Sequence, residues 1–254
     1  MQIQLIRSAT LRIDYAQQRF LIDPYLAAKH TMPSYAGKSA NPLAALPFSA
    51  QDVIAGIDMV IISHLHSDHF DPTAQQLLPA ELSMICQPGD AEELAQRGFR
   101  NVLPVADRFD WKAIEITRTA GQHGTGEVLQ KMGAASGFVF KAENEPTVYW
   151  AGDTIWCEEV AGVIYQIQPD IIISHSCGAK WENVLILMDA QQTVAMCRAA
   201  PNSIVIATHM DSVDHATVSR HELRTYADAN GIQPAQLLIP ADGENLVFDR
   251  KSTP

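Results

Sequence analysis

Three imidazoles and two carboxylates fall between His64 and Asp71, in the run Ser63-His64-Leu65-His66-Ser67-Asp68-His69-Phe70-Asp71. Imidazole nitrogen and carboxylate oxygen are the donors that zinc and similar divalent metals take. The preceding run, Ile57 to Ser63, is apolar or neutral except for Asp58 and reads as a buried strand. Residues two apart on a strand point the same way, so His64 and His66 are expected to converge. Asp68 and His69 follow the turn and can face the same cavity from a second direction. A merely polar surface loop would have to collect three of the chain's nine histidines by chance.

More such residues stand where apolar runs end. His123 lies between Gly121 and Gly124, directly after a predicted strand, where glycine lets the backbone turn sharply and leaves room around the ring. Asp153 follows the run 147–150 through Ala151-Gly152, and a carboxylate at a buried strand end is costly unless paired or metal-bound. His209 ends the run 203–208. His175 ends 170–174, and two readings stay open: a substrate-contacting or proton-transferring group, or a satisfied core histidine. Asp23, in Asp23-Pro24, stands at a strand end and can initiate a turn. Asp58 and Thr154, next to this chemistry in sequence, are candidates for orienting imidazoles. Of the rest, His30 reads as a pocket-rim or surface residue, His221 as a helix-surface residue, and His215 as a loop residue without an assigned role.

The elements that must position these groups alternate. Residues 2–6, 11–15 and 19–22 read as strands. Residues 25–50 read as an irregular excursion held down by Met32, Tyr35 and Phe48. Asp71-Pro72 opens a helix to about 78. A strand at 83–86 leads to a helix opened by an Asp90 capping box and closed by Gly98. Strands at 101–105 and 113–119 precede a loop at 124–133, anchored by Leu129 and Met132, and strands at 136–141 and 147–150. Residues 176–187 read as a loop. Asp189 caps a helix to about 199, and Ser219 to Glu222 forms a capping box for a helix to about 229. Strands at 237–240 and 244–248 close the chain. This order predicts a layered α/β fold.

With 254 residues, 47% of them hydrophobic, the chain can build a full core, and a single domain over 1–254 is expected. The net charge of -11 without a Lys/Arg cluster makes nucleic acid an unexpected partner. Four scattered cysteines, no signal-peptide pattern and no membrane-length apolar run point to a cytoplasmic protein. A small-molecule substrate is expected, and a homo-oligomer is left open.

The pattern H-x-H-x-D-H at 64–69, followed in order by His123, Gly152-Asp153-Thr154 and His209, resembles the metallo-β-lactamase-fold superfamily of metal-dependent hydrolases. The resemblance spans nearly the whole chain, with 25–50 and 176–187 outside it. It implies a four-layer αβ/βα sandwich of two mixed β-sheets flanked by helices. It also implies two divalent ions, zinc first and manganese or iron as alternatives. His64, His66 and His123 would hold one, Asp68, His69 and His209 the other, with Asp153 bridging; the family's similar Ile-Asp-Pro would set Asp23 behind the ligands, the alternative to a turn initiator. A shared water acidified by both ions would attack a carbonyl or phosphoryl centre, with Asp68 orienting it and passing a proton to the leaving group. The sequence around Met188-Asp189 and Thr208 to Asp211 is similar to ascorbate-6-phosphate lactonase-like proteins, which would set Asp189 beside the metals. The expected substrate is a lactone or small ester, plain or, in line with that branch, phosphorylated. A phosphodiesterase is the alternative within the fold, and an iron-binding redox or non-catalytic binding module the alternative outside hydrolysis.

Overall fold

The computed structural model describes residues 1–249; the last five lie outside the described residues. The chain opens with β1 (Gln2–Arg7), β2 (Thr10–Tyr15), β3 (Gln18–Ile22), α1 (Ala50–Ile54), β4 (Met59–Ile61), α2 (Pro72–Leu77), β5 (Ser83–Cys86), α3 (Ala91–Gln96) and β6 (Val102–Pro104). It continues with β7 (Arg108–Trp111), β8 (Ile114–Ala120), α4 (Gly126–Met132), β9 (Ser136–Ala142), β10 (Val148–Trp150), α5 (Glu158–Ile167) and β11 (Ile171–His175). The last elements are β12 (Lys180–Trp181), β13 (Val184–Leu185), α6 (Ala190–Ala199), β14 (Ile204–Thr208), α7 (Arg220–Ala229), β15 (Leu237–Leu238) and β16 (Asn245–Val247).

Two seven-stranded sheets form, ordered β16-β1-β2-β3-β4-β5-β6 and β15-β14-β11-β10-β9-β8-β7. Each is antiparallel on one side and parallel on the other, as the β3–β4 and β10–β11 pairings show. Strand alternation explains the layers. Ile171 and Ile173 join Phe138, Trp150, Ile61 and Ile85 between the sheets, while Ile172 between them packs outward with α5 to α7 residues such as Val160, Val194 and Leu223. On the other sheet, Val60 and Met84 pack outward with Val53, Ala74 and Leu94 of α1 to α3. The result is the expected four-layer αβ/βα sandwich. Among the described residues no helix is long and apolar enough to cross a membrane, and the four cysteines are free thiols.

Several local expectations need correction. Residues 126–132 form α4 rather than a loop, because Gly126 and Gly133, at φ +56° and +75°, bracket good helix formers instead of breaking them. Asp90 makes no side-chain cap on α3, since its carboxylate accepts from Gln87 Nε2 (3.0 Å). Phe48 is 38% exposed and does not pin the 25–50 segment. The segment is held by buried Tyr25, Leu26 and Ala27, and by Asp71, whose carboxylate accepts from Leu26 N (2.7 Å) while capping α2. Helix α5 and strand β7 were not anticipated.

The fold gathers one edge. Strands β3 and β4 are parallel, as are β10, β11 and β14, and β8 runs the same way as β10 because both are antiparallel to β9. Their carboxyl ends carry Asp23, Ser63-His64, His123, Asp153, His175 and His209 into one crevice. Gly152 makes one of these turns at φ +67°, and a Cβ there would lie 2.5 Å from Ser136 O. Gly152→Ala is therefore expected to cost at least about 2 kcal/mol, read as a lowered urea midpoint at unchanged m-value.

Candidate metal centre

Strand β4 ends at Ile61, so strand alternation does not aim His64 and His66. The irregular turn that follows does, bringing His64 Nε2 to 2.9 Å from His66 Nδ1. Asp153 Oδ2 lies at the middle of the cluster, 3.8 Å from His64 Nε2, 3.1 Å from His69 Nε2 and 3.4 Å from His123 Nε2. His209 Nε2 sits 3.4 Å from His69 Nε2 and 3.5 Å from Asp68 Oδ2. Three overlapping groups each keep their ligand atoms within 4.8 Å of one another: His64, His66 and His123; His64, His69 and Asp153; Asp68, His69 and His209.

The rings are fixed from behind. His69 Nδ1–H donates to Asp23 Oδ2 (2.6 Å), and Asp23 also accepts from Ser63 N (2.8 Å) and Ser63 Oγ (2.6 Å). Asp23 is fully buried and orders both the His69 ring and the chain entering the motif. Ser63 Oγ is in turn 2.8 Å from His64 Nδ1. His123 Nδ1–H donates to the Ile186 carbonyl (3.0 Å), and His209 Nδ1 lies 3.3 Å from Ser8 Oγ. Such outer partners set which nitrogen faces a metal. Thr154 acts one step further away: its Oγ1 accepts from Gln122 N (2.9 Å) and so supports the turn carrying His123. Gly121 permits that contact, since a Cβ there would meet Thr154 Oγ1 at 2.8 Å.

His175 is a satisfied buried histidine. Its Nδ1–H donates to Asp153 Oδ1 (2.5 Å) and its Nε2 accepts from Trp150 Nε1 (3.3 Å). Asp153, His175 and His209 also fall within ligand distance of each other, but neither nitrogen of His175 is free to bind. His175→Ala is expected to keep most of its metal and lose about tenfold in affinity, the usual cost of removing an outer partner. Metal titration against a competing chelator measures this, and complete metal loss would make His175 a ligand.

Two candidates fall outside the centre. Asp58 is exposed at the entry end of β4, where its carboxylate accepts from Arg19 N (2.8 Å). Asp189 caps α6, accepting from Gln192 N (2.9 Å), and belongs to none of the ligand groups. His30 and His221 are exposed.

Electrostatics make the cluster a receptor for cations. Burial opposes charge on Asp153, yet His69 and His123 together with the His175 hydrogen bond hold it well below the ordinary carboxylate range. Burial is likewise overcome at Asp68 by the His209 hydrogen bond and the neighbouring imidazoles. His69 is pushed up to about 10, burial being outweighed by Asp153 and Asp23. His209 is raised as well, Cys177 and Asp68 outweighing burial. His64 and His123 are lowered by burial and stay neutral. Neutral His64 and His123 beside two anionic carboxylates, with His69 and His209 able to give up a proton to an incoming ion, are a donor set that fits divalent ions.

A cavity of about 210 Å³ opens beside the cluster, lined by His66, Asp68, His123 and Asp153 and by Tyr35, Ser67, Met132, Trp181, Ile186 and His215. Tyr35 and His215 were not assigned to the site from sequence. They reach it from the 25–50 segment and from the loop after β14. The β12–β13 hairpin, read as a loop, contributes Trp181.

Residues 18–210 match the family model described as the beta-lactamase superfamily domain. The Bacillus subtilis (strain 168) UPF0173 protein YddR is 36% identical over 98% of this chain and all of its own length. A possible metal-dependent hydrolase from Veillonella parvula DSM 2008 superposes with a TM-score of 0.94 at 32% identity, covering 98% of this chain and 99% of that one. An isothiocyanate hydrolase from Delia radicum gut bacteria superposes at 0.93 with 34% identity, covering 98% and 100%. Residues 25–50 and 176–187 lie inside the matched family region, which corrects their expected exclusion from the likeness.

Proposed function

Because the chain belongs to the β-lactamase superfamily and is a metal-dependent hydrolase of the metallo-β-lactamase fold, we propose that it hydrolyses a small uncharged electrophile, an isothiocyanate in first place. His64, His66 and His123 would hold one divalent ion and Asp68, His69 and His209 a second, with Asp153 between them, zinc being the first choice of metal. The observation that carries the substrate class is the pocket wall. Tyr35, Met132, Trp181 and Ile186 supply aromatic and apolar surface, and among the described lining residues none is Lys or Arg. A phosphorylated lactone or a phosphodiester would find no cationic side chain there. The isothiocyanate reading draws on the hydrolase of that name, 34% identical over nearly the whole chain. A lactone or small ester is the second reading, favoured by the same neutral wall.

Bound at the cluster, divalent ions would supply an acidified water and a Lewis acid for the substrate. The chain's own groups do the rest. Asp23, Ser63 and the Ile186 carbonyl hold the imidazoles in one orientation, so little reorganisation accompanies reaction. Asp68, buried, anionic and facing the pocket, orients the attacking water and relays its proton onward. As the oxygen–carbon bond forms at the central carbon of N=C=S, the C=N π pair moves to nitrogen, which receives that proton. The thiocarbamic acid so formed separates into amine and carbonyl sulfide. With a lactone the ring C–O bond breaks and the alkoxide takes the proton.

The test is metal content of protein purified without added metal, followed by turnover of benzyl isothiocyanate, a γ-lactone, an aryl acetate and a bis-aryl phosphate. About two zinc or manganese per chain and preference for the uncharged substrates are expected. Preference for the phosphodiester would overturn the substrate class. No metal after reconstitution would overturn the centre, and iron at that level with no hydrolysis would favour a redox module.

A further inference from the structure

The loop before Asn41 is wound around one carboxylate. Asp214, 5% exposed, accepts from Tyr35 N (2.8 Å), Ala36 N (3.1 Å), Lys38 N (3.2 Å), Ser39 N (3.3 Å), Asn41 Nδ2 (3.0 Å) and the Ser34 hydroxyl. Asp214 N donates back to Asn41 Oδ1 (2.9 Å). This cage sets Tyr35 against the next residue, His215, with ring centroids 5.1 Å apart and planes at 87°. The Tyr35 hydroxyl lies 2.7 Å from Ser67 Oγ, inside the metal motif. His215 is 7% exposed and its Nδ1 is buried with no hydrogen-bond partner. That atom has no accessible surface, so the ring meets the pocket with its other nitrogen, Nε2. Tyr35, Trp181 and His215 also line an outer groove of about 420 Å³ and so stand between it and the inner cavity.

We infer that Tyr35 and His215 are substrate-binding residues: a paired O–H and N–H that grip the heteroatoms of the electrophile while its tail passes Trp181 into the outer groove. Burial keeps the Tyr35 phenol protonated and the His215 ring neutral, so each brings a donor and neither adds charge. A donor pair without charge suits the sulfur and nitrogen of an isothiocyanate, or the oxygens of an ester, in an inner cavity whose described lining has no Lys or Arg, Lys38 and Lys180 standing further out in the groove. The Asp214 cage fixes the pair in advance, so binding need not order it.

The inference rests on the hydrolase reading for its kinetic arm only. With zinc-loaded enzyme and benzyl isothiocyanate, Tyr35→Phe and His215→Phe keep the rings and remove the donors. Each is expected to retain metal and lower kcat/KM about 10- to 100-fold, mostly through a raised KM. The binding arm uses N-benzylthiourea, a stable compound with the same C=S and N–H groups. Added to ring-15N-histidine wild-type protein, it should shift the resonance that His215→Phe removes. It should also bind Tyr35→Phe about tenfold more weakly. Unchanged kinetics in both variants with metal retained would overturn the inference. So would a His215 resonance that stays put at saturating thiourea, or thiourea that does not bind, even if the variants failed to fold. Wild-type protein that binds thiourea through His215 yet turns over no uncharged substrate would overturn the proposed reaction and leave the binding pair standing.

Discussion

Asp153→Asn is expected to give a folded protein that retains at most about one metal ion per chain and loses at least about 10³-fold in kcat/KM. The substitution is isosteric, so the loss comes from charge and from the polarity of one atom. Asp153 Oδ1 accepts from His175 Nδ1–H at 2.5 Å, while Oδ2 faces the Nε2 atoms of His64, His69 and His123. An asparagine must present its NH2 to one side or the other. Turned towards His175 it meets a donor, and turned inward it removes the one acceptor at the middle of the cluster. Either way His69 loses one of the two carboxylates that hold its proton. Plasma mass spectrometry of the metal and steady-state kinetics read both losses. Full metal content with kcat/KM within tenfold of wild type would remove Asp153 from the centre. His175→Ala is the internal comparison: it deletes a neighbour of Asp153 and leaves the acceptor in place.

Much of this centre was legible because its residues follow apolar runs, and burial of a run is readable from composition alone. His123, Asp153 and His209 stand at strand ends for that reason. The role of Asp23 needed the parallel pairing of β3 with β4, which puts Ile22 opposite Ile61 and Asp23 beside Ser63. Asp58 was misplaced through strand direction: it enters β4, whereas the crevice lies past the exit. His64 and His66 converge as expected, though a turn and not a pleat brings them together. Asp189 satisfies the backbone of α6, and a cap can be read locally while its distance from the metals cannot. Tyr35 and His215 were hidden for a different reason. They meet through the Asp214 cage, across about 180 residues of chain, and no periodicity or spacing carries such a contact. The signal that was present was an acidic residue next to a histidine, six positions after the last strand-end ligand, in a segment too polar to read as core.

Metal uptake near pH 7 should release about two protons per chain, and apparent affinity should rise roughly a hundredfold per pH unit while that holds. In the stripped protein His69 is raised to about 10 by Asp153 and Asp23, against burial, and His209 is raised by Cys177 and Asp68. Both rings must surrender a proton before binding a cation. His64 and His123, lowered by burial, have none to give. Calorimetric titration with zinc in buffers of different ionisation enthalpy counts the protons directly. The stability of the stripped protein runs the other way. A histidine whose folded pKa lies above its unfolded value of 6.5 stabilises fully below that value, and the contribution is lost as pH rises through the folded pKa. The His69 pairing with Asp23 and Asp153 therefore weakens from about pH 6.5 to about 10, the window in which the metal comes to be held more tightly. The gap in Tm between zinc-loaded and stripped protein should widen across it. A proton count near zero with a pH-independent gap would mean that both rings are already neutral in the stripped protein, and that the carboxylates behind them orient the imidazoles without holding their protons.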